Sequence, residues 1–197
     1  MSIERKSRRA VFQNARFCVY ADHIAQGAAE VPDYLVVAPH TTREDLVTGV
    51  TVLPVRDGQV LLLRNSRVAV GRECLEAVRG FVDVGEDPRR AAVRELEEET
   101  GLVCSPGDLL ELGFCMPEAS TLACRLAIYA APGCRSGGAR EDNEIGLGEA
   151  RWYTLAEAEA LLPTLEDVST ALALHRYLAG CFRARSARKP AAARRRG

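Results

Sequence analysis

Long apolar runs are missing from this chain of 197 residues; none approaches the ~20 residues that a membrane-crossing helix needs. The opening MSIERKSRRA is basic but no apolar stretch follows it, so a secretory leader is not expected. Seven cysteines, at 18, 74, 104, 115, 124, 134 and 181, include no C-x-x-C pair, and several sit inside apolar, strand-like runs. That odd, scattered set argues against a disulfide framework or a zinc site and for reduced, mostly buried thiols in a cytoplasmic protein. Aromatic residues are scarce, at 6%, and none alternates with the basic residues at the two ends. Nucleic acid is therefore not the expected partner, although basic ends can touch polyanions.

What the chain does have is apolar content, 47% of its residues, enough for the core of one domain. A net charge of −1 hides an uneven distribution. Seven basic residues and no acid lie from Arg183 onward, and the first ten residues carry four basic side chains against one acid. The middle is correspondingly acidic, as suits a protein that gathers divalent cations. The expected organisation is N-terminal strands over residues 1–47, a main domain over 48–182, and a disordered basic tail over 183–197. Both basic ends read as solvated segments.

The densest chemistry lies between Gly80 and Leu102, GFVDVGEDPRRAAVRELEEETGL. Asp87 can cap a helix whose first residue is Pro88, where a missing N–H costs nothing, and Gly101 can close it in the left-handed conformation. Glu95, Glu98 and Glu99 then stand at i, i+3 and i+4 and share a face. Like charges at that spacing repel, and a hard divalent cation with oxygen ligands removes the penalty. A solvated acidic face is the ordinary alternative for such a run. Ala92, Val93, Leu96 and Thr100 form the expected core stripe, opposite the acids. Arg94, one turn before Glu98, is placed to orient it. Gly80 and Gly85 suit a close backbone approach near a phosphate or metal.

At these positions the chain resembles the Nudix hydrolases, whose signature is Gly, five residues, Glu, seven residues, Arg-Glu, an aliphatic, any residue, Glu-Glu, any residue, Gly and an aliphatic. Here those places hold Gly80, Glu86, Arg94, Glu95, Leu96, Glu98, Glu99, Gly101 and Leu102. The resemblance implies an α/β (α+β) fold, an α/β/α sandwich around a mixed sheet. It also implies Mg²⁺, with Mn²⁺ as a substitute, held by Glu95, Glu98, Glu99 and the backbone carbonyl of Arg79. Arg67 and Glu76 match the approach to the motif, where family members contact substrate or support the metal. Val78-Arg79 stands where many relatives have Pro-Ala, which would set the Arg79 side chain, a cation, beside the diphosphate.

RFCVYA at 16–21 and YLVVA at 34–38 read as short strands separated by the loop QGAAEVPD, and VTGVTVLPV and QVLLLRN as a hairpin turning at Asp57-Gly58. The first pair resembles the small N-terminal antiparallel sheet of the ADP-ribose pyrophosphatase branch, which implies a homodimer. Pro117, fifteen residues beyond Leu102, resembles that branch's marker, although Glu118 replaces the glycine that often follows. Two further strands flank Pro117, ARWYT is a strand, and Thr154 with Glu157 forms a capping box. Residues 166–182 read as a final helix whose His175 is a packing or surface residue.

The glycine- and acid-rich segment near 137–148 is a loop, and related enzymes take a general base from it; Glu144 is the first choice and Glu141 the second. The implied reaction is hydrolysis of ADP-ribose to AMP and ribose 5-phosphate, with other nucleotide sugars or dinucleotides as alternatives. A non-catalytic nucleotide sensor of this fold usually lacks motif glutamates and carries a DNA-binding domain; here the glutamates are intact.

Overall fold

The structure, a computed structural model, describes residues 2–41, 43–140 and 145–187. Glu141, Glu144 and the last ten residues of the tail lie outside the described residues. The N-terminal part is a three-stranded antiparallel sheet of β1 (Glu4–Gln13), β2 (Phe17–Gln26) and β3 (Ala29–Pro39), in that order. Its extent differs from the sequence expectation in two ways. The basic opening is a strand rather than a solvated end, held partly by Arg8, whose Nε and Nη2 donate to Asp22 at 2.8 and 2.6 Å. The expected loop 26–33 is mostly strand, since Gln26 pairs with Ala29 across a turn at Gly27, where φ is 63°. Pro32 is tolerated because β3 is an edge strand, where a missing N–H removes no ladder bond.

The main sheet has the path β12-β5-β4-β10-β9, formed by Glu149–Thr154, Gln59–Arg67, Val47–Arg56, Arg125–Pro132 and Leu110–Cys115. β6 (Arg72–Glu76) adds to β5 and β7 (Val78–Phe81) to β4, while β8 (Leu102–Val103) and β11 (Arg135–Ser136) form a separate antiparallel pair. β10 runs parallel to β4 and the remaining pairs are antiparallel, so the sheet is mixed. The β4–β5 hairpin turns at Asp57 and Gly58, both with positive φ of 52° and 74°, the conformation expected of Asp-Gly.

Alternation along β5 shows the layering. Leu61 and Leu63 face a core built with α1 (Pro88–Thr100), and Val60 and Leu62 face a core built with α2 (Leu155–Leu161) and α3 (Val168–Ala187). Both faces of the sheet are covered, which explains why Val60, Leu61, Leu62 and Leu63 form an unbroken apolar run. The result is the α/β/α sandwich that the resemblance implied. Helix α3 extends to Ala187, beyond its expected end, and takes the start of the basic segment with it. None of the described helices is long and apolar enough to cross a membrane. The seven cysteines are free thiols; Cys18, Cys124 and Cys134 are buried and the other four half-buried.

Candidate active site

Helix α1 begins and ends where its residues dictate. Asp87 accepts from the backbone N–H of Arg89 and Arg90, Pro88 opens the helix, and Gly101 closes it at φ 68° with its N–H on the Glu97 carbonyl at 2.7 Å. Its packing face corrects the sequence reading. The buried residues are Ala91, Ala92, Glu95, Leu96 and Glu99, so two of the acids lie within the core-facing band rather than opposite it. Glu99 is 1% exposed and Glu95 9%, while Val93 and Thr100 are only half-buried. For Glu95 the physical reason is Gly80 on β7: without a Cβ, the strand leaves a gap into which the Glu95 carboxylate fits.

Arg94 organises the acidic side of the helix. Its Nε and Nη2 donate to Glu86 at 3.1 and 3.0 Å, and its Nη1 to Glu95 at 2.7 Å and to Glu98 at 3.0 Å. Nη2 also donates to the Phe81 carbonyl at 2.9 Å, fixing the helix to the end of β7. The expected contact with Glu98 is present, but as one of three carboxylate contacts. Hydrogen bonding to Arg94 holds the Glu86 carboxyl below the usual carboxylate range, and the same bond raises the guanidinium further above its ordinary value.

Glu95, Glu98 and Arg94 line a cleft of about 670 Å³ shared with Arg67, Arg79, Gly80, Asp83 and Pro117. The three-stranded sheet closes it with Arg16, Phe17 and Pro39. Phe17 meets Phe81 edge-on with centroids 5.7 Å apart, and the Arg16 guanidinium lies 5.1 Å over the Phe81 ring. Arg16 and Phe17 were missed by the sequence reading, although a basic-aromatic pair at the start of a strand is a signal that could have found them.

Arg67 reaches the cleft, but Glu76 does not. Glu76 is 2% exposed and sits behind the wall, accepting from Arg67, from Asn65 Nδ2 at 3.1 Å and from Arg79 Nη2 at 2.9 Å. Arg79 also donates from Nη1 to Asp167 at 2.9 Å. Its side chain is thus doubly paired, rather than a bare cation beside the cleft as its sequence position suggested. Asn65 continues this network by accepting from the Gly148 N–H at 3.1 Å.

The profile of the NUDIX domain matches residues 45–173. The chain belongs to the Nudix family. A mouse (Mus musculus) ADP-sugar pyrophosphatase is 44% identical over 59 residues, 27% of each chain. The ADP-ribose pyrophosphatase of Saccharomyces cerevisiae is 41% identical over 71 residues, 32% of this chain and 31% of that protein. Each of these alignments spans less than a third of the relative's length. A solved ADP compounds hydrolase superposes with a TM-score of 0.76, over 93% of this chain and 96% of that one, at 20% identity; the likeness establishes the shared fold.

The charges of this Nudix cleft suit a hard cation. Arg16, Arg67, Arg79 and Arg94 stand against Glu76, Asp83, Glu86, Glu95, Glu98 and Asp167, all lining the cleft or paired with its lining. Carboxylates outnumber guanidinium groups, so an anionic phosphate is not attracted unless further positive charge enters. Among the described residues no three acidic, His or Cys side chains already converge on one point, because Glu95 and Glu98 both lean on Arg94. The donors are nonetheless oxygens of the kind Mg²⁺ prefers, and the Gly80 cradle keeps Glu95 against the strand that carries the Arg79 carbonyl. The residues fit the ion.

Proposed function

We propose that this chain hydrolyses the diphosphate of a nucleoside diphosphate linked to another group, with ADP-ribose giving AMP and ribose 5-phosphate as the leading reaction. The observation that carries this reading is the Arg94-centred carboxylate cluster at the wall of a cleft that also offers an aromatic and arginine surface. Glu95, Glu98, Glu99 and the Arg79 carbonyl would hold Mg²⁺, with Mn²⁺ as a substitute. Bound there, the ion supplies charge neutralisation for the phosphates and a lowered pKa for a coordinated water.

The chain's own groups do the rest. Arg94 orients Glu95 and Glu98, Arg67 is held by Glu76 to meet a phosphate oxygen, and Phe17, Phe81 and Arg16 offer a stacking wall to a base. A carboxylate accepts the proton of the attacking water, Glu144 by first choice and Glu141 by second. The stems on either side of that segment are anchored near the site. Gly137 and Gly138 donate to the Gly101 carbonyl at the end of α1, and Ser66 donates to Gly146.

A homodimer through the N-terminal sheet belongs to the same proposal. That sheet exposes Val11, Phe12, Val31 and Leu35, which a second copy would cover. Light scattering at micromolar concentration tests it, and a strict monomer contradicts it.

The deciding experiment incubates the protein with a set of diphosphate compounds and Mg²⁺ or Mn²⁺, and identifies products by chromatography. AMP and ribose 5-phosphate from ADP-ribose support the leading reading, and preferential cleavage of another nucleotide sugar or a dinucleotide moves the substrate within the class. No cleavage of any compound with either metal refutes the enzyme.

A further inference from the structure

Asp167 lies far from the signature in sequence, 88 residues beyond Arg79, yet it accepts a hydrogen bond from the Arg79 guanidinium. It caps α3: its Oδ1 accepts from the Thr170 N–H and the Ser169 hydroxyl, each at 2.8 Å. Thr170 in turn accepts from the Ala77 N–H at 2.8 Å, tying the first turn of the helix to the backbone between β6 and β7. From that fixed place Oδ2 takes Arg79 Nη1 at 2.9 Å, while Glu76 Oε1 takes Nη2 at 2.9 Å. The Asp167 side chain is 12% exposed and that of Glu76 2%, so both bonds are sheltered from water. Because Glu76 is shared with Arg67, two carboxylates answer two guanidinium groups here, and Asp167 supplies the second negative charge that balances Arg79.

We propose that Asp167 is a specificity-determining positioning residue: it holds Arg79 back against α3, so that the cleft does not favour highly charged phosphates over a diphosphate esterified on both sides. The inference rests on the diphosphate reading above and adds to it a residue outside the signature. A purely structural role as helix cap predicts something different, because a cap needs only a short oxygen acceptor, whereas withholding Arg79 needs a negative charge.

Asp167→Ser and Asp167→Asn keep a capping acceptor and delete the charge. Isothermal titration in Mg²⁺ buffer with inorganic pyrophosphate and, separately, a methylene-bridged ADP-ribose analogue that cannot be hydrolysed as probes compares these variants with the parent. Pyrophosphate should bind about three- to tenfold tighter in both variants, with a larger gain at low salt, while affinity for the analogue changes less. Adding Arg79→Gln to either variant should abolish the gain, and both variants should still melt cooperatively, at a lower temperature than the parent because a sheltered ion pair is broken. Unchanged pyrophosphate selectivity in folded variants overturns the inference and leaves Asp167 a cap, with the diphosphate reading intact. Failure of the parent to bind either probe overturns the reading of the cleft, and the inference with it.

Discussion

A Cβ on Gly80 would lie 1.8 Å from the carboxyl carbon of Glu95, so the strand and the helix carboxylate occupy one shared space. All three of the nearest atoms belong to the Glu95 side-chain tip, which can swing away, and none to backbone. Gly80→Ala should therefore leave the fold nearly as stable as the parent and cost turnover about 100-fold, by expelling Glu95 from its place. Thermal melting and steady-state rates on one preparation check this. An active Gly80→Ala protein would show that the position of Glu95 does not matter.

Arg94 answers three carboxylates and the Phe81 carbonyl, so its loss strands several partly buried acceptors at once. Arg94→Ala should lower unfolding free energy by about 1–3 kcal/mol, discounted for partial exposure, and reduce turnover strongly. Arg94→Lys should restore little, because a point charge cannot serve the forked set of partners. Urea denaturation of both variants measures the first effect, and a lysine variant with parental stability contradicts the geometry.

Glu99→Gln preserves shape and removes one negative charge from a side chain that is 1% exposed. Turnover should nearly vanish, with an unchanged circular dichroism spectrum and a weaker response to added Mg²⁺. Normal turnover would refute the metal patch.

Glu144→Gln should lower the rate while sparing Mg²⁺ affinity measured by titration. A rate equal to the parent's transfers the role of base to Glu141 or elsewhere.

In the N-terminal sheet, the hydrogen bonds from Arg8 hold the Asp22 carboxyl below its ordinary value, with Arg5 adding to the effect and burial opposing it. A carboxyl with a depressed folded pKa contributes stability that is present above its unfolded value, about 3.9, and is lost as the pH falls through the folded value. Between pH 5 and pH 3 the parent should therefore lose more stability than Asp22→Asn does. Equal acid sensitivity in the two proteins would remove Asp22 from the account.

Much of this architecture was legible from short-range chemistry. Asp57-Gly58 announced the hairpin, Asp87-Pro88 and Gly101 bounded α1, and Thr154 with Glu157 marked α2, whose capping box is present with the Thr154 N–H on Glu157 at 2.8 Å. β1 was not legible: ERKSRRAVFQ is exposed along its whole length, so no alternation of buried and exposed residues betrays it. The burial of Glu95 and Glu99 was also hidden, because helical spacing groups residues on faces without saying which face a glycine-gapped strand will receive.

Neighbouring residues dictate the Asp57-Gly58 turn, the limits of α1 and the co-facial placing of Glu95, Glu98 and Glu99, since each depends on side chains within a few positions of one another. Contacts across the fold, by contrast, gather Glu86, Glu95 and Glu98 around Arg94, set Glu76 behind the cleft and pair Asp167 with Arg79. These last contacts join separate layers of the sandwich, and the distances between layers are set by side-chain packing on both faces of the sheet, which no local spacing encodes.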